Sequence, residues 1–409
     1  MIKKKIINDP IYGFVTVPDG IIYQLIEHPY FQRLRRIQQL GISYLVYPGA
    51  IHTRFQHALG AMHLMQNAIE TLRSKGIEIT DQESESVKIA ILLHDVGHGP
   101  FSHILEHSIV DGVSHEDLSE LLMESLNKHF KGKLTQAIQI FRNQYKKKFL
   151  HQLVSSQLDV DRLDYLTRDT FFTGVSEGVI GYDRIIKMLT VANGNLVVEA
   201  KGIYSIEKFI IARRLMYWQV YLHKTVLAGM ELLVNILRRA KELAGQGVEL
   251  FCTPAFHEFL YNHHTKKDFA KDGRLLETFA QLDDYDVLSS IKVWVNHKDP
   301  ILSTLSKWLI NRQLYKIVIN NKPFPASQLK TLQEEAIDKY KIAKKDVKYF
   351  VCSDEVTNDA YSIQDVRINI LFPNGKIMDF AKASDNLNAT ALNTVTRKYF
   401  VCYPKSITN

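Results

Sequence analysis

The stretch ILLHDVGHGPFSH, residues 91 to 103, places His94, Asp95, His98 and His103 directly after an apolar run. Imidazole nitrogens and carboxylate oxygens together form a mixed donor set that suits a borderline divalent ion such as Mn, Fe, Zn, Co or Ni. Adjacent residues on a helix point about 100° apart, so His94 and Asp95 cannot both face one object from the side of a helix. At a helix end they can, and the dipole of a helix C-terminus also favours a cation there. Two adjacent ligands are too few for a tight site, and two further candidates stand out: His57 in HTRFQHALG and Asp161 in LDVDRLDYLTRD. For His94 and Asp95 alone, a helix end with a satisfied carboxylate is an equally simple reading; the combination with His57 and Asp161 favours a metal. A divalent ion lowers the pKa of water and so supplies a nucleophile for phosphoryl groups, arginines can neutralise phosphate charge, and a histidine titrating near neutrality can protonate a leaving oxygen. Arg54, three residues before His57, shares its helical face and can reach the same phosphate.

The elements that must position these groups are mainly helical. ESESVKIAILLH reads as one helix, with Glu83 and Glu85 in its first turn and Gly97 placed to end it. The segment from Ile206 to Ala244 reads as a single long helix. Residues 1–18 read as a strand, a turn at Asn8-Asp9-Pro10 and a second strand. In LTVANGNLVVEA, Asn193-Gly194 between alternating runs signals a hairpin that decorates the helical body. After residue 311 the pattern changes: YKIVIN, a helix at about 326–344, VKYFVC, RINILF, KIMDF and KYFVCY form a small α+β unit. The expected organisation is a helical body over 1–311, with its site within 28–224, and the α+β unit over 312–409. KYFVC occurs at 348–352 and at 398–402; because the flanks differ, these read as two similarly buried strands, not a duplication.

With 409 residues, 46% of them hydrophobic, the chain can bury a large core in two or three structural units. There is no run of about 18 apolar residues, and the start, MIKKKIINDPIYG, lacks the apolar segment of a secretory signal. A cytoplasmic location without membrane attachment is expected. Cys252, Cys352 and Cys402 form no CxxC pair and read as buried thiols. The net charge of +7 is spread over short runs such as Lys3–Lys5 and Lys146–Lys148, which read as solvated faces. Nucleic acid is therefore the weakest of the partner classes, while small polyanions such as nucleotides remain compatible with the charge.

Three long motifs, YPGAIHTRFQHALG, HDVGHGPFSH and DVDRLDYLTRD, occur in this order and form a separated H…HD…D pattern. The pattern resembles the HD-domain phosphohydrolases and, within them, the deoxynucleoside triphosphate triphosphohydrolase or dGTPase-like branch. The likeness runs from NDPIYG at residue 8 to about YLHK at residue 224. It implies an HD-domain helical body and one divalent ion, of the set above or magnesium, held by His57, His94, Asp95 and Asp161. A further magnesium ion would accompany the nucleotide. It implies that His103 is the general acid at the scissile phosphate, that His98 contacts phosphate, and that His115, followed by Glu116, belongs to the catalytic pocket. Arg54, Arg162 and Arg213 would hold phosphate oxygens; the animal relative has lysine in place of Arg162. Gln39, Tyr165 and Asp169 match positions around the sugar 3′-hydroxyl, and Tyr221 lines sugar and base. Lys5, Asn8, Arg35 and Lys224 match a regulatory nucleotide site at subunit contacts of relatives, which implies a homo-oligomer; Glu27 stands there in place of an aspartate.

Blander readings exist for several of these residues. Arg162, Asp164, Arg168 and Asp169 have the spacing of surface ion pairs on a helix. Tyr165 and Tyr221, taken singly, read as aromatics at the edge of a core, and His63 as a core or supporting histidine. The activity expected is dNTP + H2O → deoxynucleoside + triphosphate. Its rivals are another phosphomonoesterase or phosphodiesterase on the same metal, and a non-catalytic nucleotide sensor.

Overall fold

The computed structural model describes residues 5–101, 112–358, 367–385 and 396–407, and its architecture is mainly α. The chain opens with an antiparallel hairpin, β1 (Lys5–Asp9) and β2 (Gly13–Val17). Its turn is closed by Asp9 Oδ1, which accepts the N–H groups of Ile11 and Tyr12 at 3.0 and 3.1 Å. Four helices then build the frame of the site. α1 (Arg54–Ser74), α2 (Asp81–Leu93) and α3 (His115–His129) each begin with a reciprocal cap, from Thr53 with Gln56, Thr80 with Glu83, and Ser114 with Asp117. α4 (Val160–Thr173) begins at Asp159, whose side chain accepts the Arg162 N–H.

α1 packs against both α2 and α4, burying Phe55, Leu59, Met62 and Met65 with Val87, Ile91 and Leu163. Fully burying an aliphatic side chain of this size contributes roughly 1.5–3 kcal/mol. Gly60 permits the approach of α4: a Cβ there would stand 2.0 Å from Asp164 Oδ1 and 2.2 Å from Arg168 Nη2. Gly97 lies beyond the end of α2, which stops at Leu93, and it does not supply a left-handed cap. Its function is steric, since a Cβ there would stand 2.2 Å from Ser119 N on α3.

The expected long helix over Ile206–Ala244 is two helices. α5 (Ile203–Met216) runs into a π-type turn, Tyr217–Tyr221, and α6 (Lys224–Gly245) leaves at 54°. No proline or glycine marks the break. The extended backbone of His223 ends the first run, and its Nδ1 accepts the Thr225 N–H at 3.2 Å, capping the second. α7 (Asp284–Trp294) follows, capped by Asp283.

The hairpin at Asn193-Gly194 forms as expected, with both residues at positive φ between β3 (Leu189–Ala192) and β4 (Asn195–Glu199). It also recruits later chain. After β5 (Lys316–Asn320), α8 (Ala326–Tyr340) and β6 (Cys352–Asn358), β7 (Asn369–Leu371) joins β4 in parallel and pairs with β8 (Ile377–Asp379). β9 (Thr396–Tyr403) lies between β5 and β6 in a second, antiparallel sheet. The reading of VKYFVC as a strand is corrected: Lys344–Tyr349 forms a 3-10 turn and the strand begins at Cys352. Burial had set that reading, and Tyr349, Phe350 and Val351 are indeed buried, but in a turn. Only Cys402 of the three cysteines is fully buried. Among the described residues no single helix is long and apolar enough to cross a membrane.

Candidate metal centre and active site

The centre forms where the end of α2 meets α1 and α4. His94 follows the last residue of α2, so its ring turns in and its Nδ1 donates to the Ile91 carbonyl at 2.6 Å. His57, on the first turns of α1, donates from Nδ1 to Asp164 Oδ2 at 2.8 Å. Each bond occupies the Nδ1 proton and leaves the Nε2 lone pair facing the centre, the tautomer a metal ligand requires. Across the gap, Asp161 Oδ1 stands 3.1 Å from His57 Nε2 and 3.3 Å from His94 Nε2. Both Nε2 atoms are buried, and these contacts lack the angles of hydrogen bonds. Donor atoms of His57, His94 and Asp161 all lie within 4.8 Å of one another. Asp95 flanks this set, with Oδ1 3.3 Å from His94 Nε2 and Oδ2 3.8 Å from His57 Nε2, while Arg54 Nη1 pairs with Oδ2.

The electrostatics select for positive charge. Burial opposes a proton on His57, but Asp161 and Asp164 override it and push the imidazole up to about 10. Burial likewise opposes charge on Asp161, yet His57 and His94 hold it far below the usual carboxylate range. Without a cation, protons supply the missing positive charge. A divalent ion would meet the same demand with neutral imidazoles and ionised carboxylates, so the residues fit such a group.

Asp164, which the sequence reading groups with surface ion pairs, supports a candidate ligand. It is fully buried. Besides His57, it receives Arg168 through Nε and Nη2 at 3.0 Å and the Tyr12 hydroxyl at 2.8 Å; Arg168 Nη1 continues to Asp9 at 2.8 Å. The hairpin turn is thereby wired to a metal-ligand candidate, and His63 stacks on Tyr12 at 5.1 Å as a supporting ring. The signal available in the sequence was the spacing of Asp161 and Asp164, which puts both carboxylates on one face of α4. Asp164→Asn keeps the shape and removes the charge behind His57. We expect affinity for a divalent ion to fall about 10–100-fold in a chelator competition; unchanged affinity would mean that His57 is oriented without Asp164.

On one side of the centre, His98 Nδ1 lies 3.4 Å from Asp95 Oδ1 and its ring lies 3.9 Å from that of His115. His115 and Glu116 join His94, Asp95, Asp161 and Arg162 around a cavity of about 570 Å³, within the range of small-molecule sites. His103 lies outside the described residues. Arg162 Nη1 pairs with Asp159 while its Nε is buried without a hydrogen-bond partner among the described residues. The same is true of Arg213 Nε and Nη1, beneath which lies the Tyr217 ring at 5.9 Å.

On another side, Asp169 accepts the Tyr221 hydroxyl at 2.7 Å and meets His52 Nε2 at 2.8 Å. Tyr165 stands edge-on to Tyr221 at 6.3 Å. The Gln39 N–H donates to the His52 carbonyl at 3.0 Å, and Gln39 Oε1 is a buried acceptor without a partner among the described residues. His52, which sequence reasoning missed, thus links Gln39 to Asp169. The candidate regulatory residues are all exposed: Lys5 and Asn8 on β1, Arg35 in the 3-10 turn Arg33–Arg36 and Lys224 at the start of α6. Lys5 Nζ pairs with Glu27 Oε1 at 2.7 Å, and the Arg35 guanidinium lies 3.6 Å above the Phe55 ring.

The HD domain family model matches residues 54–169, and the model of an HD associated region matches residues 180–246. A crystal structure of a phosphohydrolase from Bacteroides thetaiotaomicron is similar, with a TM-score of 0.95 and 53% identity over 98% of this chain and 100% of that chain. The uncharacterised protein YwfO of Bacillus subtilis is 32% identical over 93% of this chain and 88% of its own length. A deoxynucleoside triphosphate triphosphohydrolase SAMHD1 homolog of Dictyostelium discoideum is 30% identical over 77% of this chain and 60% of its own length. With the H…HD…D residues gathered at one centre, the chain belongs to the HD-domain phosphohydrolase superfamily, and its relatives there include the deoxynucleoside triphosphate triphosphohydrolases.

Proposed function

We propose that the protein hydrolyses deoxynucleoside triphosphates to deoxynucleoside and triphosphate. The observation that carries this reading is the layout of α4. It bears Asp161 in the metal cluster, then Arg162 and Tyr165, and Asp169 in the polar chain with His52, Gln39 and Tyr221. Eight residues of helix span roughly 12 Å, a length that suits a substrate with a phosphate chain at one end and a sugar at the other.

In this reading His57, His94, Asp95 and Asp161 hold one divalent ion, and a magnesium ion accompanies the nucleotide. When bound, the ion supplies the nucleophile by lowering the pKa of water. Arg54, Arg162 and Arg213 hold the phosphate chain, and His98, His115 and Glu116 line its path. Gln39, Tyr165, Asp169 and Tyr221 hold the sugar and base. The water oxygen joins the α-phosphorus, the bond from that phosphorus to O5′ breaks, and His103 gives its proton to O5′. A homo-oligomer with an activating nucleotide at Lys5, Asn8, Arg35 and Lys224, acting in the cytoplasm, completes the proposal.

The test is chromatography of a dGTP digest by metal-loaded protein in oxygen-18 water. We expect deoxyguanosine and intact triphosphate carrying the label. Monophosphate with pyrophosphate would indicate attack within the chain, and orthophosphate as the first product would indicate a phosphatase. No turnover with any of Mn, Fe, Co, Ni, Zn or Mg, with activating nucleotides added, would make the protein a sensor.

A further inference from the structure

We propose that Asp284 is a positioning residue that fixes the sugar-side loop and the histidine loop relative to each other. It lies on α7, outside the residues that the HD-domain models match, and it is 4% exposed. Its two oxygens serve two different loops. Oδ2 accepts the Gln38 N–H at 2.8 Å, and Oδ1 accepts the Phe101 N–H at 2.9 Å.

Both loops lead directly to proposed substrate contacts. Gln38 precedes Gln39 and bridges to Thr53, while Arg54 N–H donates to the Ile37 carbonyl at 3.0 Å, so this loop is tied to the start of α1. Phe101 lies three residues after His98 on the segment that leaves α2 and carries Asp95, and its φ of +53° is a left-handed conformation rarely adopted by a bulky residue. Such strain persists only where the surroundings over-determine it. Here the ring is buried and the amide is held by a carboxylate. Neighbouring bonds brace the same contact. Arg33, fully buried, donates from Nη2 to the Val96 carbonyl at 2.7 Å and from Nη1 to the Leu282 carbonyl at 3.0 Å. Asp283, beside Asp284, pairs with Arg36 instead of with either loop's backbone.

In an asparagine here the amide nitrogen, a donor, takes the place of one of the two oxygens, so one of the two N–H groups faces another donor. Asp284→Asn therefore separates the two loops with little change in volume, and Asp284→Ala releases both. Burial pushes the carboxyl up to about 7, so the comparison is made at about pH 8, where the wild-type group is ionised. The catalytic consequence rests on the reaction proposed above, whereas the clamp itself is read from amide exchange.

The full-length, metal-loaded wild type, Asp284→Asn, Asp284→Ala and the control Asp283→Asn are compared for dGTP turnover, metal affinity, and hydrogen exchange at the Gln38 and Phe101 amides. We expect Asp284→Asn to lose protection at one of these amides and Asp284→Ala at both. kcat should fall about 10–100-fold, the cost of misplacing reacting groups by an ångström, with metal affinity kept and Asp283→Asn near wild type. Retained protection at both amides in Asp284→Asn, or a kcat within twofold of Asp283→Asn, overturns the proposal. An inactive wild type overturns the proposed reaction, and the exchange arm then decides the clamp alone.

Discussion

Replacing Asp161 by alanine should strip the divalent ion from the protein and abolish turnover together. Asp161 is the carboxylate of the tightest donor set, within 3.3 Å of Nε2 of both His57 and His94. Removing it leaves two imidazoles and the flanking Asp95, whose Oδ2 is already engaged by Arg54. Its charge is present across the whole working pH range, because the adjoining imidazoles hold its pKa far down despite burial. The variant therefore loses a full negative charge as well as a ligand. We expect metal affinity to fall by more than the roughly 10–100-fold that loss of a partner behind a ligand costs. Calorimetric titration with Mn and metal analysis of the purified protein measure this directly. An Asp161→Ala protein that keeps full metal content but loses turnover would make Asp161 a catalytic group instead of a ligand. One that keeps both would overturn the assignment.

The gathering of His57, His94 and Asp161 was legible in the sequence because it depends on residue type at a helix end. A histidine and an aspartate in sequence can converge only where the helix stops, and α2 does stop at Leu93. What holds the centre was less legible. Asp164 and Arg168 have the spacing of a surface pair, and only the packing of Gly60 against α4 turns them inward, beneath His57. Tyr12 reaches the Asp164 carboxylate, and Asp9 reaches its partner Arg168, each from more than 150 positions away, a relation no local pattern encodes. The break after Met216 carries no glycine or proline, so hydrophobic periodicity runs through it; its cap is the side chain of His223. The strand expected at VKYFVC failed for a similar reason, since three consecutive buried residues fit a turn as well as a strand. Asp284 sits 183 positions from Phe101, and in sequence it is one acidic residue in a helix cap.

The second large effect concerns His103. If the bond from the α-phosphorus to O5′ is the one that breaks, the leaving group is a sugar alkoxide, a far stronger base than any phosphate oxygen. Such a group departs only with a proton, so the general acid bears more of the barrier than it would in cleavage within the phosphate chain. His103→Ala should lower kcat about 10²–10⁴-fold. Metal content should be unchanged, because the donor set of His57, His94 and Asp161 is complete without it. His98 meets Asp95 Oδ1 at 3.4 Å and its ring lies 3.9 Å from that of His115; on the proposed reading, in which it contacts phosphate, His98→Ala should raise KM more than it lowers kcat. A triphosphate ester of nitrophenol separates proton donation from any other role of His103. Its leaving group is acidic enough to depart unprotonated, so the variant should recover most of its turnover on that ester while remaining impaired on dGTP. Equal losses on both esters would show that His103 does not act as the acid, and an unchanged kcat on dGTP with a raised KM would move it to substrate binding.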